Sequence, residues 1–153
     1  SSAPCVQLFS VDEIQQRIES LTLLEELKTS VTNGFAGFEL VYQPQVRGGD
    51  YMLYGVEALL RYHSPSRGRV FPNEFIPLLE ASRLIVPVGM WVLEQALLQC
   101  KVWRAVMPSL RVSVNFSSVQ FEDVHIGEQI VDMLKKILLF NIELKVQICS
   151  KLW

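Results

Sequence analysis

Four polar residues, Gln43, Glu57, Arg61 and Asn115, each fall at or near the end of a segment with strand character. Glu57 and Asn115 supply a carboxylate and an amide oxygen, hard donors suited to Mg²⁺ or Mn²⁺. Arg61 closes the string Glu57-Ala58-Leu59-Leu60-Arg61 and carries a fork of N–H donors that matches phosphate oxygens. A divalent cation beside a phosphodiester polarises its phosphorus–oxygen bonds and lowers the pKa of a bound water. Strand ends are also where barrel enzymes assemble their sites. The same residue types occur at strand ends in solvated or purely structural roles, and spacing alone does not separate the two readings.

Other chemistries find less support. There is no glycine-rich phosphate loop, no Ser-His-Asp order and no His pair at metal spacing. His63 and His125 stand alone and read as loop or surface residues. Tyr62-His63 and Arg67-Gly68-Arg69 read most simply as a wetted loop.

The elements that must position these residues can be read from periodicity. Ser10-Val11-Asp12-Glu13 is a capping box and starts a helix that ends at Asn33-Gly34. Val11, Ile14, Ile18, Leu21, Leu24, Leu27 and Val31 recur in steps of three and four, giving an amphipathic seam. That seam suits either a signalling or dimerising helix leading into the next domain or a helix packed on its own domain. Phe38–Val46 and Tyr51–Arg61 flank the turn signal Gly48-Gly49-Asp50 and form a β-hairpin. A helix enters at Pro72-Asn73-Glu74, and another begins near Val88 and exits at Pro108. Leu110–Ser117 alternates apolar and polar residues as a strand with one buried and one polar face. Ile126–Leu139 is helical by period, and Glu143–Cys149 is a short final strand. Helix and strand alternating after a hairpin argue for an α/β architecture with a largely parallel sheet.

With 153 residues and half of them hydrophobic, the chain can bury one proper core. Its net charge of −2, scattered without a basic stripe, argues against nucleic acid as a partner. No run approaches the roughly 18 apolar residues of a membrane span. Cys5, Cys100 and Cys149 are too widely spaced for a zinc site or a disulfide framework, which fits a reducing cytoplasm.

Six stretches together resemble one family: Phe38–Pro44 (FELVYQP), Gly55–Arg61 (GVEALLR), Phe75–Leu78 (FIPL), Leu84–Gly89 (LIVPVG), Trp91–Glu94 (WVLE) and Val112–Asn115 (VSVN). In this order they resemble the EAL domain, the cyclic di-GMP phosphodiesterases and their inactive relatives, over about residues 35–144. The resemblance implies a modified (β/α)₈ barrel that opens the messenger to linear pGpG with Mg²⁺ or Mn²⁺. It implies that Glu57 and Asn115 are metal ligands and that Gln43, Leu60 and Arg61 contact the messenger, Arg61 on a phosphate. It places Glu80 at a family acidic position near the site.

The resemblance also has a break. Where the family continues Glu-Ile-Thr-Glu, its first Glu a metal ligand, this chain has Lys145-Val146-Gln147-Ile148. The family's later Asp-Asp pair, Lys and Glu have no counterpart before Trp153. The expectation is a half barrel of about four strands: residues 1–34 as helix and linker, then a truncated or frame-shifted EAL domain over 35–153. It is expected to be inactive alone, to bind cyclic di-GMP weakly or not at all, and to self-associate through open sheet edges or the N-terminal helix. Two other readings stand beside it: a non-catalytic messenger-binding or interaction module, and an enzyme completed by another chain.

Overall fold

A computed structural model describes residues 10–138 and 144–148. Helix α1 spans Val11–Thr32 and is followed by strands β1 (Phe38–Val46), β2 (Leu53–Ser64) and β3 (Gly68–Val70). Helices α2 (Pro72–Ala81) and α3 (Ile85–Arg104) lead to β4 (Arg111–Phe116), a 3-10 turn at Ser118–Glu122, α4 (Ile126–Leu138) and β5 (Leu144–Ile148).

The described strands form a single sheet in the order β1-β2-β4-β5. β1 and β2 pair antiparallel along nearly their whole length, as the hairpin signal requires. β4 and β5 join in parallel. The opposite edge of β2 is shared, with Gly55–Ala58 pairing β4 and Tyr62–Ser64 pairing β3. This is the α/β arrangement expected from the sequence, with one described strand more than the four expected. β3 was hidden because a three-residue strand is too short to show a period, and residues 63–70 are a tight hairpin rather than a loop. His63 therefore sits on a strand, which corrects its reading as a loop residue.

One face of the sheet meets the helices. Val56, Ala58, Leu60 and Tyr62 of β2, with Val112, Val114 and Phe116 of β4, pack on Phe75, Ile76 and Leu79 of α2 and on Val88, Val92, Leu93, Ala96 and Leu97 of α3. Cys100 lies in the same core, and burial pushes its thiol pKa up. Cys5 and Cys149 lie outside the described residues. By length and composition, α3 would pass as a membrane span, but its apolar side is turned into this core.

The capping box at Ser10 forms as expected, with the Glu13 amide donating to Ser10 Oγ at 3.2 Å and the Ser10 amide donating to Glu13 Oε2 at 2.7 Å. The packing face of α1 takes up only the C-terminal part of its apolar seam, where Leu27 is buried and Val31 packs against the core. Val11, Ile14, Ile18 and Leu21 are exposed, whereas Leu23, Leu27 and Ser30 are buried. Helix α1 thus shares one core with the strands and helices that follow it. Ser30 Oγ and Tyr62 Oη hydrogen-bond at 2.9 Å, tying the helix to β2. Glu26 accepts from Ser64 Oγ at 2.5 Å and from the Ser66 amide at 3.2 Å. Burial pushes the Glu26 carboxyl up, but these hydrogen bonds outweigh it and hold the pKa below the ordinary value.

The chain leaves α1 through left-handed backbone. Gly37 has φ +87°, and a Cβ there would lie 2.7 Å from the His63 carbonyl, so only glycine fits this approach.

If α1 is part of the core, Leu27→Ala should cost about 2–5 kcal/mol in urea unfolding. Ile18→Ala, on the exposed seam, should stay within about 0.5 kcal/mol. Equal, small effects would show that the helix does not contribute to the fold.

Candidate functional site

Because β2 alternates, its residues divide cleanly. Val56, Ala58, Leu60 and Tyr62 enter the core, and Glu57, Leu59, Arg61 and His63 stand on the opposite face. The β1 register carries this face sideways, with Gln43 opposite Glu57, Val41 opposite Leu59 and Glu39 opposite Arg61. On the other side Glu57 is level with Ser113 of β4, and Asn115 lies two residues further on the same face. Gln43, Glu57, Arg61 and Asn115 are therefore gathered on one surface.

Leu60 is not. It is 1% exposed and packed against the helices, on the wrong face to meet a ligand beside Arg61. Leu59 holds the position between Glu57 and Arg61 instead. Counting in twos from Glu57 would have identified it.

The β4 half of the surface is enclosed. Ser113 and Asn115 are each 2% exposed, so the polar face expected on this strand is buried as well as the apolar one. A buried amide needs partners. Asn115 Nδ2 donates to Glu57 Oε1 at 2.9 Å, which joins the two candidate metal ligands. A cation bound between them would replace that bond, using the carboxylate and the amide's oxygen, both of the hard type Mg²⁺ and Mn²⁺ prefer. The donor chemistry fits a divalent ion; two donors do not make a complete set, and no cluster of three or more His, Cys, Asp or Glu occurs among the described residues. In the β4–β5 ladder Lys145 is the partner of Ser113, and Gln147 the partner of Asn115. Lys145 thus occupies the row that contains Glu57 and Ser113.

Glu80 is near the site but engaged. Its Oε1 accepts from Ser117 Oγ at 2.6 Å, just past the end of β4. The Ser117 amide in turn donates to Gln120 Oε1 at 2.9 Å. Gln120 is fully buried, and its amide nitrogen has no partner among the described residues. It fits there because Gly89 of α3 has no side chain; a Cβ at that position would overlap the Gln120 amide. Glu80, Ser117 and Gln120 together fix the chain directly after Asn115. Nothing in the linear order of residues links Gly89 to Gln120, so only the packing reveals this bracket.

His63 Nε2 lies 2.8 Å from Glu39 Oε1 across the hairpin. His125 is a surface residue, as expected, with its ring 3.6 Å from Glu128.

Residues 18–149 match the EAL domain family. Over 125 residues, 82% of its length, the chain is 39% identical to a cyclic di-GMP phosphodiesterase of Pseudomonas aeruginosa, of which this is 21%. It is 37% identical to the oxygen sensor protein DosP of Escherichia coli, over 84% of this chain and 16% of that protein. The chain thus spans about a fifth of the curated relatives it matches. The solved phosphodiesterase MucR in complex with c-di-GMP superposes with a TM-score of 0.74 at 32% identity, covering 81% of this chain and 50% of that one.

Gly89→Ala should destabilise the fold by about 1–3 kcal/mol through overpacking on Gln120. Adding Gln120→Ala should recover part of the loss in a double-mutant cycle of unfolding energies. Strict additivity would show that the two residues do not share this contact.

Proposed function

The chain belongs to the EAL domain family, and on that premise we propose that it carries residues of a cyclic di-GMP phosphodiesterase site and does not turn the messenger over by itself. The observation that carries this reading is the shared face of Gln43, Glu57, Leu59, Arg61 and Asn115, closed by the Asn115–Glu57 hydrogen bond. Arg61 pairs with a phosphate oxygen and Gln43 with a neighbouring polar group of the ligand. Glu57 and Asn115 would hold Mg²⁺ or Mn²⁺, and the bound ion would polarise the phosphodiester and acidify a water. Glu80 supports Asn115 through Ser117.

Inactivity follows from what stands beside these residues. Lys145 stands where the resemblance places a metal-ligating Glu, and an ammonium group has no lone pair to give a metal. Glu57 and Asn115 are two protein donors, and a metal held by two donors is held weakly. The site belongs in the cytoplasm, and the partner set is the messenger and a second copy of the chain. Self-association is supported by Val11, Ile14, Ile18 and Leu21, 82%, 48%, 53% and 62% exposed on one side of α1.

Calorimetric titration with cyclic di-GMP in Mn²⁺ should show weak binding, and Arg61→Ala should lower it by about 10- to 100-fold, the loss of a charged hydrogen-bond partner. An unchanged affinity would place the ligand elsewhere. A chromatographic assay for pGpG should find no steady product; sustained turnover by the purified chain would overturn the inactive reading. Light scattering at micromolar concentration should give a mass above that of a monomer, and Ile18→Lys with Leu21→Lys should restore the monomer.

A further inference from the structure

Arg61 faces a carboxylate that ought to neutralise it. Glu39 is its direct partner in the β1–β2 ladder. Opposite charges facing each other across an antiparallel pair attract, and a Glu39–Arg61 ion pair would occupy the guanidinium before any phosphate arrived. The structure has a different arrangement. Glu39 Oε1 lies 2.8 Å from Nε2 of His63, the next residue along the same face. A carboxylate only accepts, so Nε2 carries the proton, and it can donate whether the ring is neutral or charged.

Arg61 Nη1 donates to the Leu60 carbonyl at 2.8 Å, which turns the guanidinium back onto its own strand. None of the ion pairs among the described residues includes Arg61. Two other charged groups on this face are also engaged. Arg69, the β3 partner of His63, lies over the Phe71 ring at 5.8 Å, and the Glu57 carboxylate receives the Asn115 amide.

We infer that His63 and Glu39 are positioning residues for Arg61: His63 draws the Glu39 carboxylate away, and the guanidinium is left available to a phosphate oxygen. This rests on the reading of Arg61 as a phosphate contact. Glu39 and His63 are about half exposed, with side chains 53% and 50% accessible, so their removal should not endanger the core.

The test uses the whole chain without ligand first. With labelled arginine, and Arg61 assigned by Arg61→Lys, His63→Ala should shift the Arg61 Nε–H resonance as Glu39 moves across. Adding Glu39→Gln should return it toward its original position. An Arg61 resonance unmoved by His63→Ala would overturn the inference, whatever the outcome of ligand binding. In titrations with cyclic di-GMP, His63→Ala should weaken binding by about two- to fivefold, the range of an exposed ion pair, and His63→Ala with Glu39→Gln should recover it. A loss that Glu39→Gln fails to recover would show that His63 acts in some other way. If the unmodified chain binds no messenger, the proposed function fails while the resonance shift still decides the role of His63.

Discussion

The period-two division of β2 governs this molecule. One strand supplies the centre of the core with Val56, Ala58, Leu60 and Tyr62 and the centre of the candidate site with Glu57, Leu59 and Arg61. A one-residue slip would carry Glu57 and Arg61 into the helix layer and expose Leu60 and Tyr62. Burying an unpaired charge is far costlier than leaving a leucine in water, so the apolar face fixes the register and the register fixes the site. β1 reinforces it along one edge, and β3 and β4 share the other.

Much of this is legible in the sequence, for physical reasons that are local. A capping box satisfies orphan amides within four residues, so Ser10 and Glu13 announce the start of α1 by themselves. A hairpin needs only a turn and two alternating runs. The string around Glu57 and Arg61 likewise carries its chemistry in residue types. What remained hidden depends on partners distant in sequence. The first half of the seam is exposed and Leu23, off the seam, is buried beside Leu27 because only the C-terminal part of α1 reaches the core. Ser113 and Asn115 are enclosed because β4 is a central strand, which no alternation pattern of its own can reveal. The resemblance points to Leu60, where the strand's alternation puts Leu59 on the face of Glu57 and Arg61.

Two different kinds of support hold the site. Apolar packing sets the strands, and a thin layer of hydrogen bonds sets the polar side chains: Asn115 on Glu57, Ser117 on Glu80 and Gln120. Packing is non-directional and tolerates substitutions of similar volume. The polar layer does not, since a buried group that loses its partner retains its desolvation cost. Gly89 lies where the two meet, a packing position whose smallness exists for the sake of a buried amide.

The polar layer also bears on what binding must do. In the unliganded chain, Glu57 and Asn115 satisfy each other, and Glu39 is satisfied by His63. A metal ion has to exchange the first of these bonds for its own coordination, so its net gain is smaller than its bare affinity for two oxygen donors. A phosphate reaching Arg61 faces no such exchange with a carboxylate; it has to compete only with the carbonyl of Leu60. On the proposed reading, the arginine end of the face would be the more readily occupied part. Because Tyr62, the residue next to Arg61, is hydrogen-bonded to Ser30, the strand end that presents the guanidinium is held by α1 as well as by its neighbours in the sheet.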